Sequence, residues 1–268
     1  MRISKALKKK IKLVCALKDK KIRIKENKIL LEGFNIIEKA MDAQLDFYFI
    51  LYDKNILKNK HSKNILNKYI KDGIECIQIP HNLFSEISNI EISNGIIAVA
   101  ERKEFSSTQL PLNKENSLLL ILDTICDSKS IGLIILTALA SGACGVIVTK
   151  GCVDIYNPKT IRSSMGAIFN IPVVKVANLN ETITLLKKNN ISIIAIDINA
   201  KKNYLSYQYK GKIALLLGNE SNGLKSAHAS KANEILTIPL SSSLKSFNAA
   251  LAASVILYER LRQNLHSI

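Results

Sequence analysis

The chain has 268 residues, 47% of them hydrophobic, and its 38 Lys and Arg against 22 Asp and Glu give a formal net charge of +16. The apolar content excludes a disordered chain, and the length suggests one large domain or two modest ones. This charge favours a polyanionic partner such as RNA, with an anionic membrane surface as the second candidate. The heavy use of Lys, Asn and Ile throughout leaves genome bias as a further source of the charge.

Cysteine and histidine spacing argues against a metal site. The five cysteines form no C-x-x-C pair, and the four histidines are scattered. We therefore expect neither a metal nor a disulfide framework, and we interpret the cysteines as buried hydrophobes in a reducing compartment. The basic N-terminus lacks the apolar core and cleavage site of a secretory signal.

The first hundred residues alternate between strand and helix patterns. Residues 1–23 place apolar side chains four residues apart among lysines, which predicts one basic amphipathic helix. Its lysines form either a solvated face or a contact to RNA or an anionic surface. The next predicted elements are a strand turning into a helix over 28–41, strands at 47–52, 75–79 and 95–102, and helices at 62–72 and 83–87. We predict an α/β domain over residues 1–104 and a polar linker over 105–116.

The second predicted domain spans residues 117–268. A strand at 118–122 is followed by eighteen uncharged residues, 131–148, which hydropathy alone would assign to the membrane. Gly142 and Gly145 divide this run, so we predict a buried helix followed by a strand at 146–149. Asn157 and Pro158 are typical of a helix start. A helix at 182–188 and a strand at 191–196 follow.

The most informative stretch is 213–261. A buried strand, 213–217, ends at the glycine loop 218–223, and a second strand, 235–238, ends at Pro239. A serine-rich loop then leads into a long helix from about Asn248. Because the glycines do not lie between a strand and a helix, the loops favour a neutral or cationic ligand over a phosphate.

The residues of these loops match a known order of motifs. Gly218, Glu220 and Gly223 are followed by Ile238-Pro239 and then by Ser246-Phe247-Asn248. This series resembles motifs 2 and 3 of the SpoU-type RNA 2'-O-ribose methyltransferases, a branch of the SPOUT superfamily. Three further segments also resemble the family. They are Asn157-Pro158-Lys159, Arg162-x-Ser164-x-Gly166, and Glu32-Gly33 in the predicted N-terminal domain.

The resemblance implies a fold and an assembly. It implies an α/β protein with a small N-terminal α/β RNA-binding domain, ribosomal-protein-like, followed by a SPOUT α/β domain with a mainly parallel sheet and a C-terminal trefoil knot. It also implies a homodimer. The final helix offers small and apolar residues as a packing face, with burial in the monomer core as the alternative: Ala249, Ala252, Ala253 and Ile256.

The resemblance also implies the site residues. The implied cofactor is S-adenosyl-L-methionine, bound by Leu217, Gly218, Asn219, Gly223, Ile238, Pro239 and Phe247. The implied catalytic residues are Glu220, Ser246 and Asn248. The implied RNA-binding residues are Glu32, Lys159 and Arg162.

Motif 1 departs from the family pattern. The family carries Asn-x-Gly-x-x-x-Arg after Asp-Pro, whereas here Ser128 replaces the Pro, Ser130 the Asn and Leu136 the Arg, with Gly132 retained. A ribose hydroxyl is a poor nucleophile, and leucine can neither orient it nor accept its proton.

We therefore expect a 2'-O-ribose methyltransferase acting on rRNA or tRNA. The alternative is a catalytically impaired SPOUT protein that binds RNA as an assembly factor. We expect no metal and no membrane partner. The compartment is the bacterial cytoplasm or an organelle stroma such as that of a plastid.

Overall fold

The computed structural model describes residues 4–88, 95–219, 223–241 and 247–265. Their contacts divide the chain into two compact units. The N-terminal unit is Met1–Lys103 with Tyr156–Gly166, and the C-terminal unit is Glu104–Ile155 with Ala167–Ile268. The boundaries expected from the sequence, with one domain beginning at residue 117, stay predictions.

The N-terminal unit begins with two helices rather than one. Helix α1 (Lys5–Ala16) ends before Asp19, which caps α2 (Lys20–Glu26) by accepting a hydrogen bond from the backbone N–H of Lys21. The buried guanidinium of Arg23 donates to the carbonyl oxygens of Leu17 and Lys18 at 2.8 Å each. The prediction of a single helix was wrong, because the apolar spacing continues past residue 19. Asp19 starts a second helix there, and Arg23 binds the carbonyl oxygens that follow the end of the first.

A four-stranded mixed sheet forms the centre of this unit. Its order is β1-β4-β2-β3, with β4 antiparallel to both neighbours and β2 parallel to β3. The strands are β1 (Lys28–Glu32), β2 (Phe47–Asp53), β3 (Cys76–Ile79) and β4 (Ile96–Glu101). The helices are α3 (Phe34–Asp42), α4 (Lys60–Lys71) and α5 (His81–Ile87). The α/β alternation predicted for residues 28–102 is confirmed.

The C-terminal unit contains a seven-stranded parallel sheet of order β7-β6-β5-β10-β8-β11-β9. The strands are β5 (Leu118–Leu122), β6 (Gly145–Thr149), β7 (Val173–Val176), β8 (Ser192–Ile196), β9 (Lys202–Asn203), β10 (Ile213–Leu217) and β11 (Glu234–Thr237). The other α-helices of the described residues are α6 (Ser128–Ala140), α7 (Pro158–Ser163), α8 (Leu179–Lys188), α9 (Ser226–Ala229) and α10 (Ala249–Leu265), of which α7 belongs to the N-terminal unit. The predicted α/β class is confirmed, and the trefoil knot stays a prediction.

Strands β5 and β10 lie at the centre of this sheet. Every residue of both strands is buried, as expected for parallel strands covered on both faces. They pair in register from Ile213 with Leu118 to Leu217 with Leu122. Because the strands are parallel, the loops that follow both strands leave the same edge of the sheet. This carboxyl edge carries the predicted site.

The uncharged run 131–148 belongs to α6 and β6, as predicted. Within the described part of the chain, no helix combines the length and hydropathy that crossing a bilayer requires. Six residues of α6 are buried, which accounts for its apolar composition.

The segment predicted as a linker is packed into the C-terminal unit. Phe105 pairs with Val174 in a parallel bridge, and Leu110 is 7% exposed within the hydrophobic core. The Lys212 ammonium group donates to the carbonyl oxygen of Leu112 at 3.0 Å. The few apolar side chains of this polar segment fix it to the sheet, and its assignment as a linker between domains stays a prediction.

The face of α10 that we predicted for packing is buried within its own unit. Its four residues, Ala249, Ala252, Ala253 and Ile256, are at most 7% exposed. The small side chains permit close approach of α6, which covers this face. The alternative, burial in the monomer core, is therefore the one observed.

Candidate functional site

The loops that follow β5 and β10 are joined at the carboxyl edge. The backbone N–H of Asp123 donates to the carbonyl oxygen of Leu217 at 2.8 Å. The side-chain amide of Asn219 donates to the carbonyl oxygen of Thr124 at 3.0 Å. Thr124 has a left-handed backbone with φ of 59°, an uncommon conformation for a β-branched residue. The chain therefore turns sharply here and directs a carbonyl oxygen toward the glycine loop.

Gly218 lies in close backbone contact with the far end of its own loop. A Cβ at this position would lie 2.6 Å from the carbonyl carbon and oxygen of Gly223 and 2.7 Å from the nitrogen of Leu224. The N–H of Gly223 donates to the carbonyl oxygen of Asn219 at 2.8 Å, and Gly223 has a φ of 63°. Any side chain at position 218 would collide with these backbone atoms, so the close approach of the two ends of the turn requires glycine here.

The starts of α6 and α10 meet at the same edge. Asp127 caps α6 by accepting from the backbone N–H of Ser130 at 2.8 Å and from its hydroxyl at 2.9 Å. The same hydroxyl accepts from the side-chain amide of Asn248 at 3.1 Å. Asn248 in turn caps α10 by accepting from the N–H groups of Ala250 and Leu251. A serine in place of the family's asparagine thus links motif 1 to motif 3.

The electrostatics of this cluster keep Asp127 ionised. Burial opposes ionisation, but the hydrogen bonds from the N–H and hydroxyl of Ser130 outweigh it and lower the pKa of Asp127. A carboxylate with a lowered pKa is a weak base. Asp127 is therefore suited to orienting Ser130 rather than to accepting a proton from a substrate.

The structure brings together some of the predicted site residues. Leu217, Gly218, Asn219 and Gly223 form the turn after β10. Ile238 and Pro239 follow β11, which is parallel to the central strands and ends at the same edge. Phe247 is half-buried directly before the cap of α10. Glu220 and Ser246 lie outside the described residues.

The three residues assigned to RNA belong to the N-terminal unit. Lys159 is exposed and Arg162 is half-buried on α7. Glu32 is only 8% exposed, and its carboxylate accepts a hydrogen bond from the hydroxyl of Ser88. Lys159 and Arg162 are therefore better placed to contact a polyanion than Glu32, which holds α5 to the end of β1.

Leu136 lies half-buried in the third turn of α6. Long side chains in a helix point toward its N-terminus. An arginine at this position would therefore extend toward the N-terminal end of the helix, which carries the site. Leucine supplies no positive charge from position 136 to this end of the helix.

Sequence reasoning missed a second cluster at this edge, formed by Asp123, Thr149 and His228. The Asp123 carboxylate accepts from the Thr149 hydroxyl at 3.1 Å and lies 2.6 Å from Nδ1 of His228. Asp123 is 2% exposed. Its position directly after a fully apolar strand was the one available signal, because the two partners are distant in sequence.

Metal ligation finds no support among the residues that the structure describes, where no group of three or more His, Cys, Asp or Glu side chains could hold an ion. The described groups at this edge combine backbone N–H and carbonyl groups, amides and hydroxyls with the Asp123 and Asp127 carboxylates and the His228 imidazole. Groups of mixed polarity such as these suit an organic ligand.

Family models match both parts of the chain. The model described as the SpoU rRNA Methylase family matches residues 117–258, and an MRM3-like substrate binding domain matches residues 8–98. These matches cover the sheet edge described above and the N-terminal sheet, respectively.

Similar proteins span nearly the whole chain. The 23S rRNA (guanosine(2553)-2'-O)-methyltransferase RlmP of Bacillus subtilis is 29% identical over 96% of this chain and 97% of its own. The 23S rRNA (guanosine-2'-O-)-methyltransferase RlmB of Haemophilus influenzae is 30% identical over 79% and 89%. Among solved structures, the SpoU methyltransferase AviRb of Streptomyces viridochromogenes in complex with the cofactor AdoMet is 28% identical, with a TM-score of 0.87 over 96% and 98% of the two chains.

The family resemblance expected from motifs 2 and 3 is confirmed by these matches. A family model that spans the C-terminal half, a substrate-binding model over the N-terminal half and full-length structural likeness agree with one another. The chain belongs to the SpoU rRNA methylase family.

Proposed function

We propose that this protein transfers a methyl group from S-adenosyl-L-methionine to a ribose 2'-hydroxyl of 23S-type ribosomal RNA. The observation that carries the proposal is the turn at Gly218–Gly223, closed by backbone contacts and joined to the end of β5. Its place beside the linked starts of α6 and α10 matches the order of motifs that identifies the family.

The residues at the carboxyl edge fit the cofactor. Leu217, Gly218, Asn219 and Gly223 offer backbone groups in a turn that has no room for a side chain at position 218. Ile238 and Phe247 offer apolar surface. When bound, S-adenosylmethionine supplies an electrophilic methyl group on a sulfonium centre. The turn and the loop after β11 would hold it, and Asn248 would orient the acceptor ribose from the start of α10. Alignment of this kind carries most of the catalysis when no charge has to be created.

The N-terminal unit offers a basic surface to RNA. Helix α1 packs its apolar stripe, which includes Leu7, Ile11 and Val14, into the core of its unit. Its lysines at positions 5, 8, 9 and 12 are exposed, and no acidic residue interrupts α1. Such a surface favours phosphate contacts, which supply affinity without reading sequence.

Ribosomal RNA is preferred over transfer RNA as the substrate. The relatives RlmP and RlmB, which match 96% and 79% of this chain, are named as 23S rRNA methyltransferases. The N-terminal match to an MRM3-like substrate binding domain supports an RNA-holding role for that unit. The impaired alternative receives no support from relatives named as active enzymes. Their bacterial sources support the bacterial cytoplasm as the compartment, with a plastid stroma as the alternative.

A homodimer is part of the proposal, through a different surface from the one predicted. Two contacts, Asn248 with Ser130 and Thr137 with Ser254, show that α6 and α10 run in the same direction. Between these contacts lie the exposed apolar residues Leu133 and Leu251, at 45% and 55% exposed. We expect Leu133→Glu to shift the molar mass measured by light scattering from dimer to monomer. A dimer that persists in this variant would count against this surface.

The experiment that tests the proposal is transfer of labelled methyl from S-adenosylmethionine to total bacterial RNA, followed by digestion to nucleosides. The expected result is a labelled 2'-O-methyl nucleoside in the large-subunit RNA fraction. Gly218→Ala is the matched control, because it opens the turn while leaving the RNA-binding unit unchanged. No transfer by the wild-type protein to any RNA, with cofactor binding retained, would contradict the proposal.

A further inference from the structure

The glycine turn is attached to the end of β5 on both sides of Glu220. Before it, the amide of Asn219 donates to the carbonyl oxygen of Thr124. After it, His228 on α9 places Nδ1 2.6 Å from the carboxylate of Asp123. Asp123 and Thr124, which are adjacent after β5, thus hold the chain both before and after the glycine turn. In sequence, 105 positions separate Asp123 from His228.

The Asp123 carboxylate is buried, and its side chain is 3% exposed. A buried carboxylate is costly unless hydrogen bonds satisfy it. Here Thr149 supplies one bond and His228 the other. The Thr149 hydroxyl also accepts from the backbone N–H of Thr124 at 3.1 Å, which fixes the same turn. Among the described residues, the bond from His228 ties this carboxylate to the segment after the glycine turn.

His228 does not belong to the set of residues that would face the acceptor ribose. Asp123 follows Leu119 and Ile121 on the face of the sheet that carries the core with α8. Asn248 and Ser130 lie at the starts of α10 and α6, which pack on each other. The imidazole is therefore placed to hold the chain rather than to take part in proton transfer.

We propose that His228 is a positioning residue for cofactor binding. By donating its Nδ1–H to Asp123, it fixes the arm that follows Gly223 and so keeps the turn in the form that accepts S-adenosylmethionine. The inference rests on the proposed function. It assigns to His228 an effect on the affinity for the cofactor and none on the affinity for RNA.

The test compares four variants of the full-length protein. His228→Ala removes the donor. His228→Asn places an amide nitrogen where Nδ1 was, and His228→Gln places it one bond further away. Ser226→Ala, at an exposed position on the same helix, is the control. Calorimetry measures the Kd for S-adenosylmethionine, steady-state kinetics separates KM for RNA from kcat, and thermal unfolding checks the fold.

We expect His228→Ala and His228→Gln to weaken cofactor binding on the order of tenfold, the effect of losing one hydrogen bond to a buried charge. His228→Asn should restore most of the affinity, and Ser226→Ala should match the wild type. Equal affinities for Ala and wild type, or equal losses for Asn and Gln, would overturn the inference while leaving the proposed function intact. A wild-type protein that binds no cofactor would overturn both. If the Ala variant does not fold, the comparison of Asn with Gln decides.

Discussion

The bond between Ser130 and Asn248 can be measured by a double-mutant cycle. Asn248→Ala removes the cap of α10, which costs about 1 kcal/mol, and the bond to Ser130, which is worth about 1 kcal/mol more. Ser130→Ala removes the same bond and the hydroxyl bond to Asp127, while the backbone N–H still caps α6. We expect each single variant to lose about 2 kcal/mol.

The coupling energy isolates the contact between the two helices. Because the shared bond can be lost only once, we expect the double variant to lose about 1 kcal/mol less than the sum of the single variants. Urea titration with a common slope gives the four free energies of unfolding. Asn248 is exposed, so water can replace part of the bond and the coupling should not exceed this value.

A second contact between the same helices serves as the control. The hydroxyls of Thr137 and Ser254 lie 3.4 Å apart, but each donates to a carbonyl of its own helix. Alanine at both positions should therefore show coupling within about 0.5 kcal/mol of zero. A Ser130–Asn248 coupling as small as this control would refute the link between motif 1 and motif 3.

Three further predictions concern the site and the final helix. Since the proposed enzyme works with leucine at position 136, Leu136→Arg should change kcat by less than about tenfold; a rise of about 10² would show that the wild-type site lacks a group for proton transfer. Gly218→Ala should abolish detectable cofactor binding in calorimetry while RNA retention on filters stays unchanged, because its Cβ would meet backbone atoms at 2.6 Å; retained binding would show that the turn is not the site. Hydrogen bonds from Arg262, and to a lesser extent from Gln263, outweigh burial and lower the pKa of Glu259 from 4.5 to about 2. The contribution of the ionised Glu259 to stability is therefore present above pH 4.5 and is lost as the pH falls toward 2. Glu259→Gln should therefore cost about 1 kcal/mol at pH 7 and nearly nothing at pH 2, measured by thermal unfolding across pH, and an equal cost at both would contradict this origin.

The sequence alone determined most of the order of elements and the motifs that identify the family. Apolar runs of four or five residues ended by glycine, aspartate or proline predict strands, and the structure has β5, β10 and β11 where these patterns lie, with β5 and β10 fully buried. The glycines at 218 and 223 were identified from their order with the later motifs. Such signals are local, because strand burial and turn conformation depend on a few adjacent residues.

Local patterns did not determine where a helix ends or which face it buries. The N-terminal lysine-rich segment keeps its apolar spacing through the break before Asp19, so the sequence predicted one helix where two exist. The small residues of α10 fit a core and an interface equally well. The packing of α6 against them decides the matter, because close helix approach depends on the partner surface and not on the pattern itself.

Only the tertiary structure joined the distant residues of the site. Ser130 meets Asn248 across 118 positions, and Asp123 meets His228 across 105. Neither serine nor histidine carries a local signal for these roles. The parallel sheet brings the carboxyl ends of strands far apart in the chain to one edge, and hydrogen bonds between side chains form only after that edge exists.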